Sequence, residues 1–294
     1  MNDIYRLDKA RVRASFDRAA DSYDAAAVLQ TEVRNRMLSR LDLVKIAPQA
    51  ILDAGCGTGH ASTGLAKRYT GSRIISLDIA MGMLKKTLAP RSSLASLKHL
   101  LGFARKDLIC ADMENLPLAA NSIGLVWSNL AVQWCNDLDL AFKEANRVLH
   151  AGGLFMFSSF GPDTLKELRM ATIEDPDHVH VSRFIDMHDI GDALVRAGFT
   201  APVLDIEYFT LTYDDVFGVM RDLKAIGAHN AAEGRSRGLQ GKGFLRGLTE
   251  RYEQFRHEGK LPATFEVVYG HAWKPEPKFQ SEDGSVPITL HKRK

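Results

Sequence analysis

Three glycines and two aspartates stand where a small ligand could bind the main chain. Residues 51–59 read Ile-Leu-Asp-Ala-Gly-Cys-Gly-Thr-Gly, an apolar run followed by glycines at alternate positions. Such a run is typical of a buried strand that turns sharply into a helix. Glycine allows positive φ angles and lets a ligand approach the backbone closely. We therefore predict a binding turn at Gly55, Gly57 and Gly59, with Asp53 directly before it.

The spacing of these glycines argues against a dinucleotide. A dinucleotide site has the pattern G-x-G-x-x-G, which places a pyrophosphate at a helix N-terminus. Here His60 occupies the position of the third glycine in that pattern. A second apolar run, residues 73–78, ends in Asp78 about 20 residues after the turn, where a carboxylate can accept hydrogen bonds from both hydroxyls of a ribose.

Together these features resemble the S-adenosylmethionine site of class I methyltransferases. The resemblance implies that five residues of the two runs bind this cofactor: Asp53, Gly55, Gly57, Gly59 and Asp78. It also implies an adenine site at the end of a third strand, where Asp112 accepts from the exocyclic amine and Met113 packs on the ring. Met83 either lines the adenosine site or packs in the core.

A fourth predicted strand, residues 123–129, ends beside polar and aromatic side chains. Ligands of open parallel sheets bind outside the carboxyl ends of the strands. We therefore expect Asn129, Leu130, Gln133 and Trp134 to border the site of methyl transfer, and Asn129 and Leu130 to bind the cofactor as well. For Trp134, packing in the core is the alternative interpretation.

Further motifs narrow the resemblance to one enzyme family. The runs at residues 17–24, 129–134, 158–169, 183–189, 220–230 and 264–274 are similar to the malonyl-[acyl-carrier protein] O-methyltransferases of biotin synthesis. The similarity extends over roughly residues 9 to 275, and the later motifs are much more specific than the glycines. It implies methylation of the free carboxylate of a malonyl thioester that is carried by an acidic acyl-carrier protein.

This reaction requires a partner for the acceptor anion. A carboxylate with an ordinary pKa near 4 is already ionised at neutral pH, so no general base is needed. An anion taken out of water must nevertheless be paired, and arginine offers a bidentate match. Arg169 or Arg183 is predicted to fill this role, with Tyr23 as a hydroxyl donor. Each of the three could instead belong to surface polar contacts.

The elements that position these residues alternate between strand and helix. Strands are predicted at residues 51–54, 73–78, 106–113, 123–129 and 154–159, with helices between them, which favours an α/β fold with a doubly wound, mostly parallel sheet. Residues 203–213 and 265–273 alternate and are rich in β-formers, so we expect them to pair as an antiparallel edge. The predicted fold is a seven-stranded, Rossmann-like sheet of the class I methyltransferase type.

A single methyltransferase domain is predicted over residues 1–275, followed by a tail at 276–294. Its parts are an N-terminal helical lid (1–48), a cofactor-binding core (49–160), substrate-side helices (161–202), and edge strands (203–275) with a helical insertion (214–260). In the lid, Phe16 and Tyr23 are seven residues apart and would share one helix face.

Composition excludes several classes of protein. The chain is 45% apolar and 25% charged, which is ordinary for a globular protein. No stretch approaches the roughly 20 apolar residues of a membrane span, and residues 1–6 lack the apolar core of a secretory signal. Cys56, Cys110 and Cys135 are too few and too scattered for a disulfide framework or a zinc site. We expect a cytoplasmic protein without a metal centre.

Positive charge is concentrated in one segment. Residues 224–260 hold eight Lys or Arg against four Glu. Such a cluster would attract an acidic carrier protein and make its association salt-dependent. The residues predicted to form this basic patch are Arg235, Arg237, Lys242, Arg246 and Arg251. Nucleic acid is the competing partner, but aromatic residues are not interleaved with the charges.

Two other functions remain open. One is a different reaction on the same fold, either that of a small carboxylic-acid methyltransferase resembling the trans-aconitate enzyme or that of a mitochondrial complex I assembly factor that modifies arginine. The absence of a transit-type N-terminus argues against the latter. The other is a methyltransferase-like module that binds cofactor or partner without catalysis, against which the intact glycines and aspartates argue.

Overall fold

A seven-stranded sheet carries the fold. The computed structural model describes residues 5–88, 107–172, 181–228, 231–233 and 242–276. The strands are β1 (Ala50–Ala54), β2 (Arg73–Asp78), β3 (Asp107–Cys110), β4 (Ile123–Asn129), β5 (Leu149–Phe160), β6 (Thr200–Tyr213) and β7 (Leu261–Trp273). Their order across the sheet is β3-β2-β1-β4-β5-β7-β6.

Helices connect and cover these strands. They are α1 (Lys9–Ala19), α2 (Tyr23–Ala26), α3 (Val28–Arg40), α4 (His60–Arg68), α5 (Met81–Leu88), α6 (Leu138–Val148), α7 (Lys166–Ala171), α8 (Met187–Arg196), α9 (Val216–Ala225) and α10 (Lys242–Glu253). Short 3₁₀ helices span Leu41–Leu43 and Val132–Trp134. Asp8, Asp137 and Asp186 cap α1, α6 and α8, because each side chain accepts from a backbone N–H in the first turn.

The predicted fold class is confirmed. β1 to β5 pair in parallel, and β7 runs antiparallel to both β5 and β6. Residues of β1 and β4 are almost all buried, since successive side chains point to opposite faces and both faces are covered. One core layer includes residues of α3, and the other includes residues of α6 and α8.

The bounds of β2 and β4 agree with the sequence prediction, but β5 begins earlier. It starts at Leu149, whereas the sequence predicted Leu154. The reason is that the double glycine is hydrogen-bonded to the end of β7. Gly152 N–H donates to Lys274 O (3.0 Å), and Lys274 N–H donates to Gly153 O (2.9 Å). The glycines therefore extend the strand.

The N-terminal region divides into two parts with different roles. Residues 9–26 lie against α5 and the glycine turn, where Gly82 N–H donates to Asp17 Oδ1 (2.6 Å) and Thr58 Oγ1 donates to Asp24 Oδ1 (2.5 Å). α3 instead buries Val33 and Met37 completely in the core. α3 therefore belongs to the core, because its apolar face packs on the sheet, and the lid predicted within residues 1–48 stays a prediction for residues 5–26.

The helical insertion between the edge strands contains α9 and α10. β6 and β7 pair along their length, from Tyr213 opposite Leu261 to Thr200 opposite Trp273. The described part of the predicted tail is a single residue, Glu276. Among the residues described, no helix has both the length and the apolar character needed to cross a membrane.

Candidate active site

A cavity, here called the lid cavity, opens between α1 and the carboxyl ends of β1 to β4. Lys9, Val12 and Phe16 of α1 form one wall. Eight of the ten predicted cofactor residues line the rest, together with Tyr23: Gly55, Gly57, Asp78, Met83, Asp112, Met113, Asn129 and Leu130. The topology explains this, because parallel strands deliver their carboxyl ends to one edge of the sheet.

The glycine turn is held against β2 by its own backbone. Gly55 and Cys56 N–H both donate to Leu77 O (2.8 and 2.9 Å). Gly55 has a φ of +77°, and a Cβ there would lie 2.3 Å from the Cβ of Ala131. Only glycine fits this position without a shift of the neighbouring loop.

Asp78 is the buried acceptor at the end of β2. Its Oδ2 accepts from Gly57 N–H (2.9 Å) and its Oδ1 accepts from Ala80 N–H (2.8 Å). Burial raises the pKa of Asp78 to about 6, although these two hydrogen bonds oppose the shift. Each carboxylate oxygen has a second lone pair, so Asp78 can also accept from ligand hydroxyls.

Asp112 contacts the first residue of α1. Lys9 Nζ lies 2.9 Å from Asp112 Oδ2 and 2.7 Å from Glu114 Oε2. Met113 is buried beside them. The predicted adenine acceptor is therefore paired with a lysine of α1, and α1 is tied to the loop that follows β3.

A second cavity, the glycine-turn cavity, lies on the other side of Gly55 and Gly57. It is lined by Asp53, Gln30 and Arg34, and shares Tyr23 and Asn129 with the lid cavity. Asn129 Nδ2 donates to Gln30 O (3.1 Å), whereas Gln30 Oε1 is buried without a partner in the described part of the chain.

Asp53 lines this second cavity and not the lid cavity. Its Oδ2 accepts from Ser62 Oγ (2.5 Å), which lies 2.7 Å from Ser76 Oγ. Burial raises the pKa of Asp53 to about 7. The carboxyl thus joins β1 to α4 and β2 beneath the turn.

Gly59 lines neither cavity. It precedes α4 with a φ of +81°, and a Cβ there would lie 2.5 Å from Thr87 Cγ2. Thr87 Oγ1 donates to Gly57 O (2.9 Å). Gly59 therefore shapes the turn through α5, and the structure places it behind the ligand-lining surface.

A wider groove, the arginine groove, adjoins the lid cavity across the 3₁₀ helix Val132–Trp134. Val132 and Gln133 line the groove, Trp134 lines the lid cavity, and Cys135 lines both. Four arginines line this groove: Arg6, Arg169, Arg183 and Arg196. Four aspartates also line it: Asp137, Asp139, Asp186 and Asp189. The groove thus presents charges of both signs next to the cavity that holds the predicted cofactor residues.

The two arginines predicted for the acceptor share this groove, but they differ in their contacts. Arg169 donates to the carbonyl oxygens of Pro162 (2.9 Å) and Thr164 (3.1 Å). Arg183 is exposed, and within the described residues its side chain makes no hydrogen bond or ion pair. Tyr23 lines the two cofactor-side cavities and not the groove, so the structure does not group it with the arginines.

Sequence reasoning missed several residues that line these sites. Lys9 carried a usable signal, because Lys9, Val12 and Phe16 share one helix face. Arg34, Gln30 and Arg6 carried none, since their places depend on how α3 and the first residues pack on the sheet.

The predicted basic patch is only partly described by the structure. Arg235 and Arg237 lie outside the described residues, as does the side chain of Lys242. Arg246 is exposed and pairs with Glu250 (2.8 Å) on α10. Arg251 is half-buried, and its Nε donates to Ala171 O (2.6 Å) at the end of α7. This bond joins α10 to α7, and the place of Arg251 in a docking surface stays a prediction.

Comparisons with known proteins agree with this geometry. A family model described as "Methyltransferase domain" matches residues 52–157. The chain is 70% identical to a malonyl-[acyl-carrier protein] O-methyltransferase of Methylovorus sp. (strain MP688), over 99% of this chain and 97% of the relative. It is 55% identical to the enzyme of the same name from Gallionella capsiferriformans (strain ES-2), over the full length of both. The YcgJ protein of Bacillus subtilis shares the fold, with a TM-score of 0.57 at 15% identity over 84% of this chain and all of that one. The chain therefore belongs to the malonyl-[acyl-carrier protein] O-methyltransferase family.

Proposed function

We propose that the protein transfers a methyl group from S-adenosylmethionine to the free carboxylate of a malonyl group on an acyl-carrier protein, an early step of biotin synthesis. The observation that carries this proposal is full-length identity of 55–70% to relatives with that name. The adjacency of the lid cavity and the arginine groove supports it, because methyl transfer to an anion needs both sites side by side.

The described residues fit the cofactor. Asp78 would accept from the ribose hydroxyls, and Asp112 and Met113 would hold the adenine. In the glycine-turn cavity, Arg34 offers a positive charge for the carboxylate of the amino-acid end, and Asp53 supports the turn through its bond to Ser62. When bound, the cofactor supplies a methyl group on a positively charged sulfur, so the protein need only position the acceptor.

Arg183 is the group that we assign to the malonyl carboxylate. It lines the arginine groove and has all five N–H donors available within the described part of the chain. Arg169 already donates to two backbone carbonyls, so it fixes the loop after β5 and offers fewer donors. Alignment of two bound reactants contributes on the order of 7–11 kcal/mol to such reactions.

Tyr23 would act as a neutral hydrogen-bond donor. Burial raises the pKa of its hydroxyl well above the ordinary value, with smaller contributions from Asp78 and Asp24. The hydroxyl therefore stays protonated over the whole physiological range. Because Tyr23 lines both cofactor-side cavities, it can orient the ligand that passes between them.

A methyl-transfer assay tests the proposal. Malonyl-carrier protein, malonyl-CoA and trans-aconitate are offered side by side, with acetyl-carrier protein as the control that lacks the free carboxylate. We expect selective turnover of malonyl-carrier protein. Turnover of trans-aconitate alone would identify a small-acid methyltransferase, and cofactor binding without turnover of any acceptor would identify a non-catalytic module.

The role of Arg183 is tested in the same assay. Arg183→Met should raise KM for malonyl-carrier protein about tenfold or more, because a charge-assisted hydrogen bond is lost. Arg196→Met is the matched control, since Arg196 lines the same groove but is paired with Asp139 (2.9 Å). Equal effects of the two substitutions would remove the assignment.

A further inference from the structure

One short segment forms a wall of both the lid cavity and the arginine groove. Tyr5, Arg6 and Leu7 line the groove, whereas Lys9 lines the lid cavity. We call residues 5–9 the strap. Because the strap continues directly into α1, it cannot move away without opening both sites.

Asn136 holds the strap from one side. Leu7 N–H donates to Asn136 Oδ1 (2.7 Å), and Asn136 Nδ2 donates to Leu7 O (3.0 Å). The amide thus pairs with both backbone groups of one residue, as a neighbouring strand would. Leu7 itself is buried in a small cluster with Val12 and Ala231.

The helical insertion holds the strap from the other side. Asp8 N–H donates to Ala231 O (3.0 Å), and Glu233 N–H donates to Arg6 O (2.8 Å). Leu7 and Ala232 form an antiparallel bridge between these two bonds. The strap is therefore held on both edges, by the side chain of Asn136 and by the backbone of residues 231–233.

Closure of the strap also covers the adenine end of the lid cavity. Lys9 pairs with Asp112 (2.9 Å) and Glu114 (2.7 Å). Phe16 meets Trp134 edge to face, with ring centroids 5.1 Å apart. Lys9, Phe16 and Trp134 thus lie over the cavity that would hold the nucleoside, and the arginine groove is complete only while the strap is in place.

We propose that Asn136 is a positioning residue that latches the strap, and that this latch makes binding ordered. Cofactor enters first, the strap closes and completes the groove, the acceptor binds, and the demethylated cofactor leaves last. The identity of the two ligands rests on the proposed function, but the latch itself does not. By linkage, a latch shared by two sites makes each ligand tighten the other by the same factor.

The test measures the release of S-adenosylhomocysteine from the protein, which requires no turnover. Its dissociation rate is followed by stopped-flow tryptophan fluorescence, to which Trp134 of the lid cavity contributes. Asn136→Ala should speed dissociation about tenfold, since two partly buried hydrogen bonds to the strap are lost. Asn115→Ala is the matched control, because Asn115 is exposed and its side chain makes no hydrogen bond within the described residues. An unchanged rate in Asn136→Ala would overturn the proposal.

A second variant removes a hydrogen bond between the strap and the helical insertion. Glu233→Pro removes the N–H that donates to Arg6 O and fixes φ at residue 233, so it should speed dissociation about threefold even if Asn136→Ala folds poorly. The coupling is then measured as the affinity for malonyl-carrier protein with and without S-adenosylhomocysteine. We expect malonyl-carrier protein to bind more tightly when S-adenosylhomocysteine is present. In Asn136→Ala, most of this increase in affinity should be lost. Equal coupling in wild type and variant would contradict the latch, whereas absence of any carrier binding would count against the proposed function alone.

Discussion

At the scale of single residues, the site depends on carboxyl groups whose ionisation is disfavoured by burial. Asp78 and Asp53 are both almost fully buried, and their pKa values rise to about 6 and about 7. In the unfolded chain both have a pKa near 4. The folded state therefore holds more protons than the unfolded state between about pH 4 and 7, so this contribution to stability falls as pH rises through that window.

Ligand binding should lower the pKa of Asp78 again. Hydroxyl groups donate most strongly to the ionised carboxylate, so affinity for S-adenosylhomocysteine should increase as pH rises from 5 to 7 and then level off. With a pKa of about 6, only about a tenth of Asp78 is ionised at pH 5, which predicts about tenfold weaker binding than at the plateau. Calorimetry at several pH values measures this.

Two variants separate the carboxyls. Asp78→Asn should bind more weakly at pH 7.5 and lose most of the increase in affinity between pH 5 and 7. Asp53→Asn should keep that increase, because Asp53 does not line the lid cavity. An affinity of the wild-type protein that does not change with pH would show that the ribose is not bound by an ionised Asp78.

At the scale of elements, the glycine turn and α5 act together. Thr87 of α5 donates to Gly57 O, and Gly57 N–H donates to Asp78. Gly59 leaves space for Thr87 to reach this position. The cofactor-side surface is thus set by a contact between two elements that α4 and β2 separate along the chain, and neither element alone would fix it.

Substitution of Gly59 tests this contact. Gly59→Ala should lower the free energy of unfolding by more than the roughly 1–2 kcal/mol that a left-handed residue costs, because its Cβ would meet Thr87. It should also weaken binding of S-adenosylhomocysteine by displacing Gly57. Chemical denaturation and calorimetry measure the two effects.

Gly71→Ala is the matched control. Gly71 has a φ of +97°, and a Cβ at this position would have no atom within 4 Å, so only the backbone cost of about 1–2 kcal/mol remains. Its cofactor affinity should equal that of the wild-type protein. If Gly59→Ala lost no more stability and affinity than Gly71→Ala, the contact with Thr87 would not matter for the site.

The same scale shows what the sequence could and could not predict. Strands such as Arg73–Asp78 were predictable, because a strand that is buried on both faces has a mostly apolar sequence. The order of strands then placed Asp78 and Asp112 at one edge. Arg34 and Asn136 were not predictable, since their contacts join segments that local patterns leave independent. The hydrogen bond of Arg251 to Ala171 was not predictable either, because the sequence does not show which side of α10 faces α7.

At the scale of the whole molecule, the lid cavity and the glycine-turn cavity lie at the carboxyl ends of the strands. Lys45 precedes β1 and Lys67 lies in the last turn of α4, so both are at the amino ends of the strands. Arg237 and Arg246 belong to the basic segment of the insertion. We propose that this segment attracts the acidic carrier protein.

Charge reversal in the basic segment is compared with charge reversal at the amino ends of the strands. The comparison distinguishes electrostatic steering of the carrier protein from a general effect of net charge. Arg237→Glu with Arg246→Glu should raise KM for malonyl-carrier protein about tenfold at low salt, and should leave KM for malonyl-N-acetylcysteamine unchanged. Lys45→Glu with Lys67→Glu changes net charge by the same amount and should leave both values unchanged. The difference in KM for malonyl-carrier protein between the two double variants should disappear near 1 M salt, where the screening length falls to about 3 Å. A rise in KM that is equal for both acceptors, or equal in both double variants, would show that the basic segment does not dock the carrier, because only a protein partner can sense charge beyond the groove.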